Sequence, residues 1–321
     1  MSKNIINSNN QYLIKSKLGN INIIEGIDVP NAQAIILHIH GIGSHFQFVY
    51  KNLDDFSERD YHLSKFDYKS VCFEFYGHGK SEGPRCCINN FDDLVDDLIA
   101  VILHLKTKFS NKSSKHIPIY LFAESMGAAV CLKFIITSTN LDALDAISGL
   151  IFISPMCGIN PDLKPGPIMT SILMFASNII PEWKLVTTTN KMGTRNVINK
   201  DFIKARDASP YIYKGAHRLS TARELYLNSL WTPENAHLIN KSAKSKSKPI
   251  SILIFQGLCD KITPYACTKH VFDQIPLDNK ELVLLPSSEH CLLVQNNESD
   301  LTPNFIIAKI VCWLNNQTAF L

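Results

Sequence analysis

A serine in a tight turn is the first feature of this 321-residue sequence that indicates chemistry. Residues 119–130 read Ile-Tyr-Leu-Phe-Ala-Glu-Ser-Met-Gly-Ala-Ala-Val, an apolar strand followed by a small-x-Ser-x-Gly turn and a helix. Such a turn strains the serine backbone and lifts the hydroxyl above the sheet, where it can attack a carbonyl carbon. Ser125 is therefore the candidate nucleophile, with Ala123 and Gly127 as the small residues that the turn requires.

Attack on a carbonyl creates an oxyanion that needs fixed N–H donors, each worth roughly 3 kcal/mol in the transition state. In a strand–turn–helix of this kind one donor is the N–H of the residue after the nucleophile, here Met126. The second donor comes from the loop after an early strand. Segment 40–43, His-Gly-Ile-Gly, follows an apolar strand pattern directly, and Ile42 is the candidate for that donor.

The glycines and histidines around this loop allow two interpretations. Gly41 and Gly43 let the backbone approach a substrate closely, and we assign His40 and Gly41 to substrate binding. His38, His40 and His45 also have the residue type of metal ligands. A metallohydrolase needs acidic partners close by, and the following residues supply none. We predict neither a metal nor a cofactor, with His38 as a core histidine.

Two further residues fit the roles of base and orienting acid. Asp260 and His290 each stand on a loop after an apolar strand pattern, and the order Ser125, Asp260, His290 is the one that this strand–turn–helix class requires. His290 is expected to take the proton of Ser125, and Asp260 to hold the imidazole tautomer. Glu289 is an alternative orienting acid, although adjacent loop side chains usually diverge.

Strand and helix patterns alternate along the chain and indicate how these residues are positioned. Two short strand patterns joined at Gly19-Asn20 predict an opening hairpin. From residue 34 onward the alternation predicts a mostly parallel sheet with helices on both faces. Thr263-Pro264 and Thr302-Pro303 are typical of an N-cap followed by proline at the first helical position. The strand patterns occupy residues 12–15, 21–25, 34–39, 70–75, 117–122, 150–153, 250–255 and 282–285.

One proline-rich stretch interrupts the alternation after a strand pattern. We interpret residues 157–220 as an inserted helical cap and residues 1–156 with 221–321 as the core. Asn240 to Lys248 is a polar, basic run that we interpret as a solvated loop. The cap contains the most apolar part of the region: Ile168, Met169, Ile172, Leu173, Met174, Phe175, Ile179, Ile180 and Trp183.

With these segments in view, the sequence resembles the monoacylglycerol lipase and lysophospholipase group of α/β-hydrolase serine hydrolases. The resemblance covers about residues 20 to 316, and its Gly-His-Gly-x-Ser segment is typical of this group. The matching segments are 40–45, 76–83, 123–127, 154–156, the Asp260 loop, the His290 loop, Asp207-Ala-Ser-Pro and 213–225.

The resemblance implies an eight-stranded core, a mobile cap over the triad and hydrolysis of single-chain lipid esters through an acyl-enzyme. Ile172, Phe175 and Ile179 of the cap are then expected to line an acyl tunnel, and part of the cap to pack on the core or contact a membrane surface. Ser44 stands where several members have an acidic residue, and Phe48 where animal members often have a basic residue that binds glycerol. The head group therefore stays open between monoacylglycerol and lysophospholipid.

Composition restricts the remaining alternatives. Hydrophobic residues make up 45% and charged residues 19%, with a net charge of +3, so no electrostatic footprint for nucleic acid is present. The polar start lacks the pattern of a secretory signal, and nine cysteines without metal or disulfide spacing indicate a reducing compartment. We expect a cytoplasmic protein, with peripheral membrane contact through the cap as an option.

Three other functions share these patterns. A short-chain carboxylesterase or a peptidase of the same fold uses the same three residues, although an apolar cap favours lipid and no acidic cluster for an N-terminal amine is evident. A ligand receptor or scaffold on this fold is disfavoured because Ser125, Asp260 and His290 are all present.

Overall fold

The computed structural model describes residues 11–45, 63–110, 117–186, 200–239, 250–294 and 300–318. Its strands are β1 (Gln11–Lys15), β2 (Asn20–Glu25), β3 (Ala34–Ile39), β4 (Tyr68–Glu74), β5 (Ile119–Glu124), β6 (Ile147–Ile153), β7 (Lys184–Val186), β8 (His217–Arg218), β9 (Ser251–Gly257) and β10 (Lys280–Leu285). Its helices are α1 (Asp92–Ser110), α2 (Met126–Thr137), α3 (Leu141–Ala146), α4 (Pro167–Ile179), α5 (Lys200–Ala208), α6 (Leu219–Asn235), α7 (Tyr265–Gln274) and α8 (Thr302–Thr318).

Eight strands form one sheet in the order β1-β2-β4-β3-β5-β6-β9-β10. The β1–β2 and β2–β4 pairs are antiparallel, and every other pair is parallel. The predicted opening hairpin and the mostly parallel eight-stranded sheet are thus confirmed. Because the parallel strands share one direction, the loops after β3, β5, β6, β9 and β10 all lie at the same edge of the sheet.

Each central strand is buried on both faces, as a parallel sheet covered by helices requires. In β3, for example, Ile35 and Leu37 belong to the core that packs under α1 and α2, whereas Ile36 belongs to the core under α8. This alternation explains why the strand patterns were continuous apolar runs. The acidic first turn of α1, Asp92 and Asp93, suits the positive end of the helix dipole.

Two helix starts differ from the sequence prediction by one residue. Pro264 with extended backbone precedes α7, so it is the N-cap, and the Thr263 hydroxyl is turned towards Asp260 instead of the helix. Thr302 is already the first residue of α8, and its N–H is capped by the carboxylate of Asp300. At α7 an acidic side chain thus binds the hydroxyl that we expected as the cap, and at α8 an acidic side chain caps the helix itself.

The segment between β6 and α6 contains α4, α5 and the two-stranded β7–β8 pair. The division into core and cap stays a prediction, since these elements do not by themselves fix its boundaries. Within the part of the chain that the structure describes, no helix is long and apolar enough to cross a bilayer. Phe48 and the basic run 240–248 lie outside the described residues.

Candidate active site

The backbone of Ser125 has the strain that its turn predicted. Its φ is 49° and its ψ is −115°, a conformation that non-glycine residues rarely adopt. Two neighbours support it: the Ser125 N–H donates to the Ile153 carbonyl (3.1 Å), and the Met156 N–H donates to the Ser125 carbonyl (3.0 Å). A Cβ at Gly127 would lie 2.8 Å from the carbonyl oxygens of Ile39 and His40, so only glycine lets α2 start this close to β3.

The structure brings the three predicted side chains into one hydrogen-bonded chain. Ser125 Oγ lies 3.2 Å from His290 Nε2, and His290 Nδ1 lies 2.8 Å from Asp260 Oδ2. Asp260, and not Glu289, faces His290 Nδ1. The Ser154 hydroxyl donates to the His290 carbonyl (2.8 Å), so the segment after β6 supports both the serine and the histidine.

Asp260 is 5% exposed and accepts hydrogen bonds on both oxygens. Oδ1 accepts from the N–H groups of Ile262 (2.8 Å) and Thr263 (3.0 Å). Oδ2 accepts from the Thr263 hydroxyl (2.9 Å) and Gln256 Nε2 (3.2 Å). The sequence predicted Thr263 as a helix N-cap and not as a partner of Asp260, although its place three residues after Asp260 is typical of a side chain that closes the turn.

The pKa values of Asp260 and His290 depend on their burial and on the charge that each presents to the other. Burial by itself raises the pKa of Asp260, but the charge and hydrogen bond of His290 and the two N–H donors outweigh it and hold that pKa below its usual value. Burial lowers the pKa of His290, and the Asp260 carboxylate overcomes this and raises it above 6.5, with a smaller contribution from Glu124. Burial raises the pKa of Glu124 to about 7. The imidazolium form of His290 is therefore stabilised, as proton uptake from a serine requires.

The loop that carries Ile42 lies directly against the serine. A Cβ at Gly41 would be 3.2 Å from the Ser125 Cβ. Within the described residues, the backbone N–H groups of Ile42 and Met126 have no hydrogen-bond acceptor. Two free donors beside one nucleophile are the arrangement that an oxyanion needs.

His40 lies beneath this loop. Its Nε2 accepts from the Phe75 N–H (3.2 Å), its Nδ1 donates to the Gly41 carbonyl (2.8 Å), and its ring packs on Phe75 and His78. It is 2% exposed. Its contact with a substrate, and that of Gly41, stay predictions. The described residues contain no group of three or more His, Cys, Asp or Glu side chains that could hold a metal.

An apolar cavity of about 110 Å³ lies between α4 and α6. Its wall includes Ile159, three residues after Met156, whose N–H binds the Ser125 carbonyl. Thr170, Leu173 and Met174 are the residues of α4 that line it. Ile172, Phe175 and Ile179, which the resemblance predicts to line the tunnel, are 54%, 69% and 65% exposed on the outer face of α4, and their substrate contact stays a prediction.

Comparisons with known proteins agree with this architecture. The family model described as serine aminopeptidase, S33, matches residues 30–299. The chain is 22% identical to caffeoylshikimate esterase of Arabidopsis thaliana over 87% of its length and 76% of the relative. It is 24% identical to the monoglyceride lipase of Saccharomyces cerevisiae over 88% of its length and 85% of the relative. The structure of a soluble variant of that yeast lipase with a substrate analog superposes with a TM-score of 0.75 at 17% identity, covering 95% of this chain and 94% of the other.

Proposed function

This chain belongs to the serine aminopeptidase, S33 family, and on that premise we propose that it cleaves carboxylic esters of single-chain lipids, monoacylglycerols or lysophospholipids, with Ser125 as nucleophile. The broader class is established: the chain is an α/β-hydrolase similar to the monoglyceride lipases, and its relatives are ester hydrolases. The single observation that carries the proposal is the hydrogen-bonded chain from Ser125 through His290 to Asp260.

The proposed reaction begins with proton transfer from Ser125 Oγ to His290 Nε2 as Oγ attacks the ester carbonyl carbon. Asp260 stabilises the imidazolium that forms, and the N–H groups of Ile42 and Met126 bind the oxyanion. His290 then protonates the leaving alcohol oxygen, which leaves the acyl group on Ser125. Water attacks this acyl-enzyme with His290 as base, and the fatty acid is released while Ser125 recovers its proton.

The cavity between α4 and α6 supports a long acyl chain as the substrate feature. Leu163, Leu173, Met174 and Leu225 give it an apolar wall, and each methylene buried there contributes about 0.8 kcal/mol. The names of the monoglyceride lipases among the relatives agree with such a substrate. Arginine, lysine and histidine also reach the wall, at Arg223, Lys164 and His217, so the cavity does not by itself select between a neutral and a charged head group.

The outer face of α4 supports the membrane part of the proposal. Insertion of its exposed side chains into a lipid surface would bring the proposed active site to the place where single-chain lipids partition. A cytoplasmic location stays a prediction from the sequence. The exposed apolar residues of this region are Ile168, Met169, Ile172, Phe175, Ile179 and Trp183.

A fluorophosphonate probe followed by a chain-length series tests this function. We expect the wild type to label and Ser125→Ala not to label, and hydrolysis of monoacylglycerols or lysophosphatidylcholine to exceed that of short p-nitrophenyl esters. Folded wild-type protein that does not label would contradict the enzyme assignment. Preference for acetate over every long chain would indicate the short-chain esterase instead, and cleavage of peptides in preference to esters would indicate the peptidase.

A further inference from the structure

The loop that carries Ile42 is a turn held by its own backbone. The Ser44 N–H donates to the Gly41 carbonyl (3.3 Å), and Gly43 adopts a φ of 69°. Because Gly41 lies so near Ser125 that a Cβ on it would be 3.2 Å from the Ser125 Cβ, a small rotation of this turn changes where the Ile42 N–H points relative to the serine. Donors for an oxyanion must be fixed before the reaction, so something must prevent that rotation.

The segment 209–213 holds the turn from the outside. It follows α5 and returns towards the core. The Tyr213 N–H donates to the Gly43 carbonyl (2.9 Å). His45 Nε2 lies 2.8 Å from Ser209 Oγ, and the His45 ring packs edge-on against Tyr211 at 5.6 Å. Gly43 in the turn and His45 directly after it therefore contact the same returning segment.

The opposite side of His45 faces the sheet. Its Nδ1 lies 3.7 Å from Oε1 of Glu74, the last residue of β4, and both residues are 2% exposed. Glu74 Oε2 accepts from Asn22 Nδ2 (2.8 Å) and from the Lys80 N–H (2.6 Å), which fixes that carboxylate. A carboxylate only accepts, so the ring proton of His45 is favoured on Nδ1, and Nε2 then accepts from the Ser209 hydroxyl.

We propose that His45 is a positioning residue that transmits the docking of segment 209–213 to the Ile42 N–H, so that the oxyanion site is complete only when this segment is in place. The inference rests on the proposed function, because it assigns to Ile42 the role of oxyanion donor. His45 itself does not touch the reacting atoms. It acts through the turn 41–44 that directly precedes it in the chain.

The test uses His45→Phe, which retains the ring and removes both nitrogens, and Ser209→Ala, which removes one oxygen. One hydrogen bond is worth about 1 kcal/mol, so each variant should lower kcat by about five- to tenfold, with KM within about twofold of the wild type. The affinity for a trifluoromethyl ketone, whose adduct with serine carries an oxyanion, should fall by the same factor. The double variant should lose no more kcat than the more impaired single variant, because both substitutions break the same His45–Ser209 hydrogen bond.

Rescue and control separate positioning from general destabilisation. His45→Gln places an amide near the position of Nε2 and should recover most of the lost kcat. His104→Phe removes a histidine of α1 that contacts Tyr12 of β1, and it should leave kcat unchanged. Thermal midpoints of all variants show whether folding is intact, and Ser209→Ala keeps the test decisive if His45→Phe does not fold.

The outcomes distinguish this inference from the proposed function. If the wild type does not react with fluorophosphonate, the proposed function fails and this inference fails with it. If the wild type reacts and hydrolyses esters while Ser209→Ala keeps full kcat and inhibitor affinity, only the coupling is wrong. Losses that multiply in the double variant would also overturn it, because the two residues would then act independently.

Discussion

At the scale of single residues, the proposed mechanism makes the pH dependence of activity a property of the environment of His290. The imidazole must be neutral to accept the proton of Ser125, and its pKa lies above 6.5 in the folded protein because of Asp260 and, to a smaller degree, Glu124. Activity is therefore full above this pKa and is lost as the pH falls through it. The acidic limb of kcat/KM should report that pKa in the free enzyme.

We expect Glu124→Gln to move this acidic limb to lower pH. Glu124 has a pKa of about 7 because of burial, and where its carboxylate is charged it stabilises the imidazolium of His290. Removing that charge lowers the pKa of His290, whereas Asp260 keeps it oriented. The nearby Cys291 thiol has a pKa of about 12 and does not titrate in this range.

The measurement is kcat/KM on a soluble p-nitrophenyl ester from pH 5 to 9. Glu289→Gln is the matched control, since Glu289 precedes His290 in the chain but is not among the groups that raise its pKa. A limb that stays in place in Glu124→Gln, or that moves equally in both variants, would show that Glu124 does not act on His290.

Much of the site was predictable at this scale because tight turns and chain order constrain residue type. Ser125 and Asp260 follow buried strands and His290 follows the half-buried β10, so the sequence predicted the three residues that the structure joins by hydrogen bonds, and their catalytic role stays a proposal. The sequence did not identify Thr263 as a hydrogen-bond partner of Asp260. Its hydroxyl donates to that carboxylate three residues earlier, and no apolar pattern marks such a bond. The role of His45 was likewise not readable, since Ser209 lies far away in sequence and the contact exists only after folding.

At the scale of elements, the start of α2 depends on the absence of one side chain. A Cβ at Gly127 meets the backbone oxygens of Ile39 and His40 at 2.8 Å, and backbone cannot move aside as a flexible side chain can. We expect Gly127→Ala to displace α2 and with it Ser125, with a destabilisation of about 1–3 kcal/mol and a larger relative loss of kcat.

Gly166, at the start of α4, provides the control because a Cβ there meets nothing within 4 Å. Urea unfolding and kcat of Gly127→Ala and Gly166→Ala are to be compared. Equal stability and equal kcat of the two variants would show that the close approach of α2 to β3 is unimportant.

Helix α4 has two apolar faces, and sequence periodicity did not reveal which one faces inward. Nearly the whole helix is apolar, so no polar stripe marks the outside, and we had assigned Ile172, Phe175 and Ile179 to the tunnel. The structure places Leu173 and Met174 at the cavity between α4 and α6, and the contact of the other three side chains with a substrate stays a prediction. Packing against α6, which is distant in sequence, determines which face of α4 lines the cavity.

The two faces should have separable effects. Ile172→Ser with Phe175→Ser removes exposed apolar side chains and should weaken binding to phospholipid vesicles by at least tenfold, since burial of one such side chain contributes about 1.5–3 kcal/mol. Hydrolysis of a soluble short ester should be unchanged. Leu173→Trp fills the cavity and should instead shift the preference towards shorter chains, with vesicle binding retained.

Vesicle sedimentation and a chain-length series on the same three proteins provide the readouts. The assignment of faces is reversed if Leu173→Trp abolishes vesicle binding while the outer-face double variant alters chain-length preference. It fails entirely if neither substitution affects either measurement.

At the scale of the whole molecule, buried histidines connect stability to pH. Burial holds the pKa of His38 and His78 at about 3 and of His40 and His217 at about 4, below the ordinary value of 6.5. All four are neutral in both states above pH 6.5 and then contribute nothing to pH dependence. As the pH falls below 6.5 the unfolded chain binds protons that the folded chain does not, so the free energy of unfolding decreases.

Asp97 opposes this trend over part of the range. Burial raises its pKa to about 6, so the folded protein binds its proton more tightly than the unfolded chain does. Its contribution therefore increases as the pH falls through 6, and it offsets one of the four histidines. Glu124, whose pKa burial raises to about 7, offsets a second histidine in the same way. Net proton uptake by these six groups on unfolding then approaches two near pH 5, which corresponds to a slope of about 3 kcal/mol per pH unit at most.

Replacing one buried histidine should reduce the number of protons taken up on unfolding near pH 5 by one. His38→Gln loses a ring that packs on Phe122, so it should be less stable than the wild type at pH 7. Towards pH 5 the difference in unfolding free energy should shrink by up to about 1.4 kcal/mol per pH unit, because glutamine does not titrate. Equilibrium urea unfolding at pH 7, 6 and 5 measures it, with the exposed His270→Gln as control. A constant difference between His38→Gln and the wild type across this range would show that His38 is not held neutral by the fold.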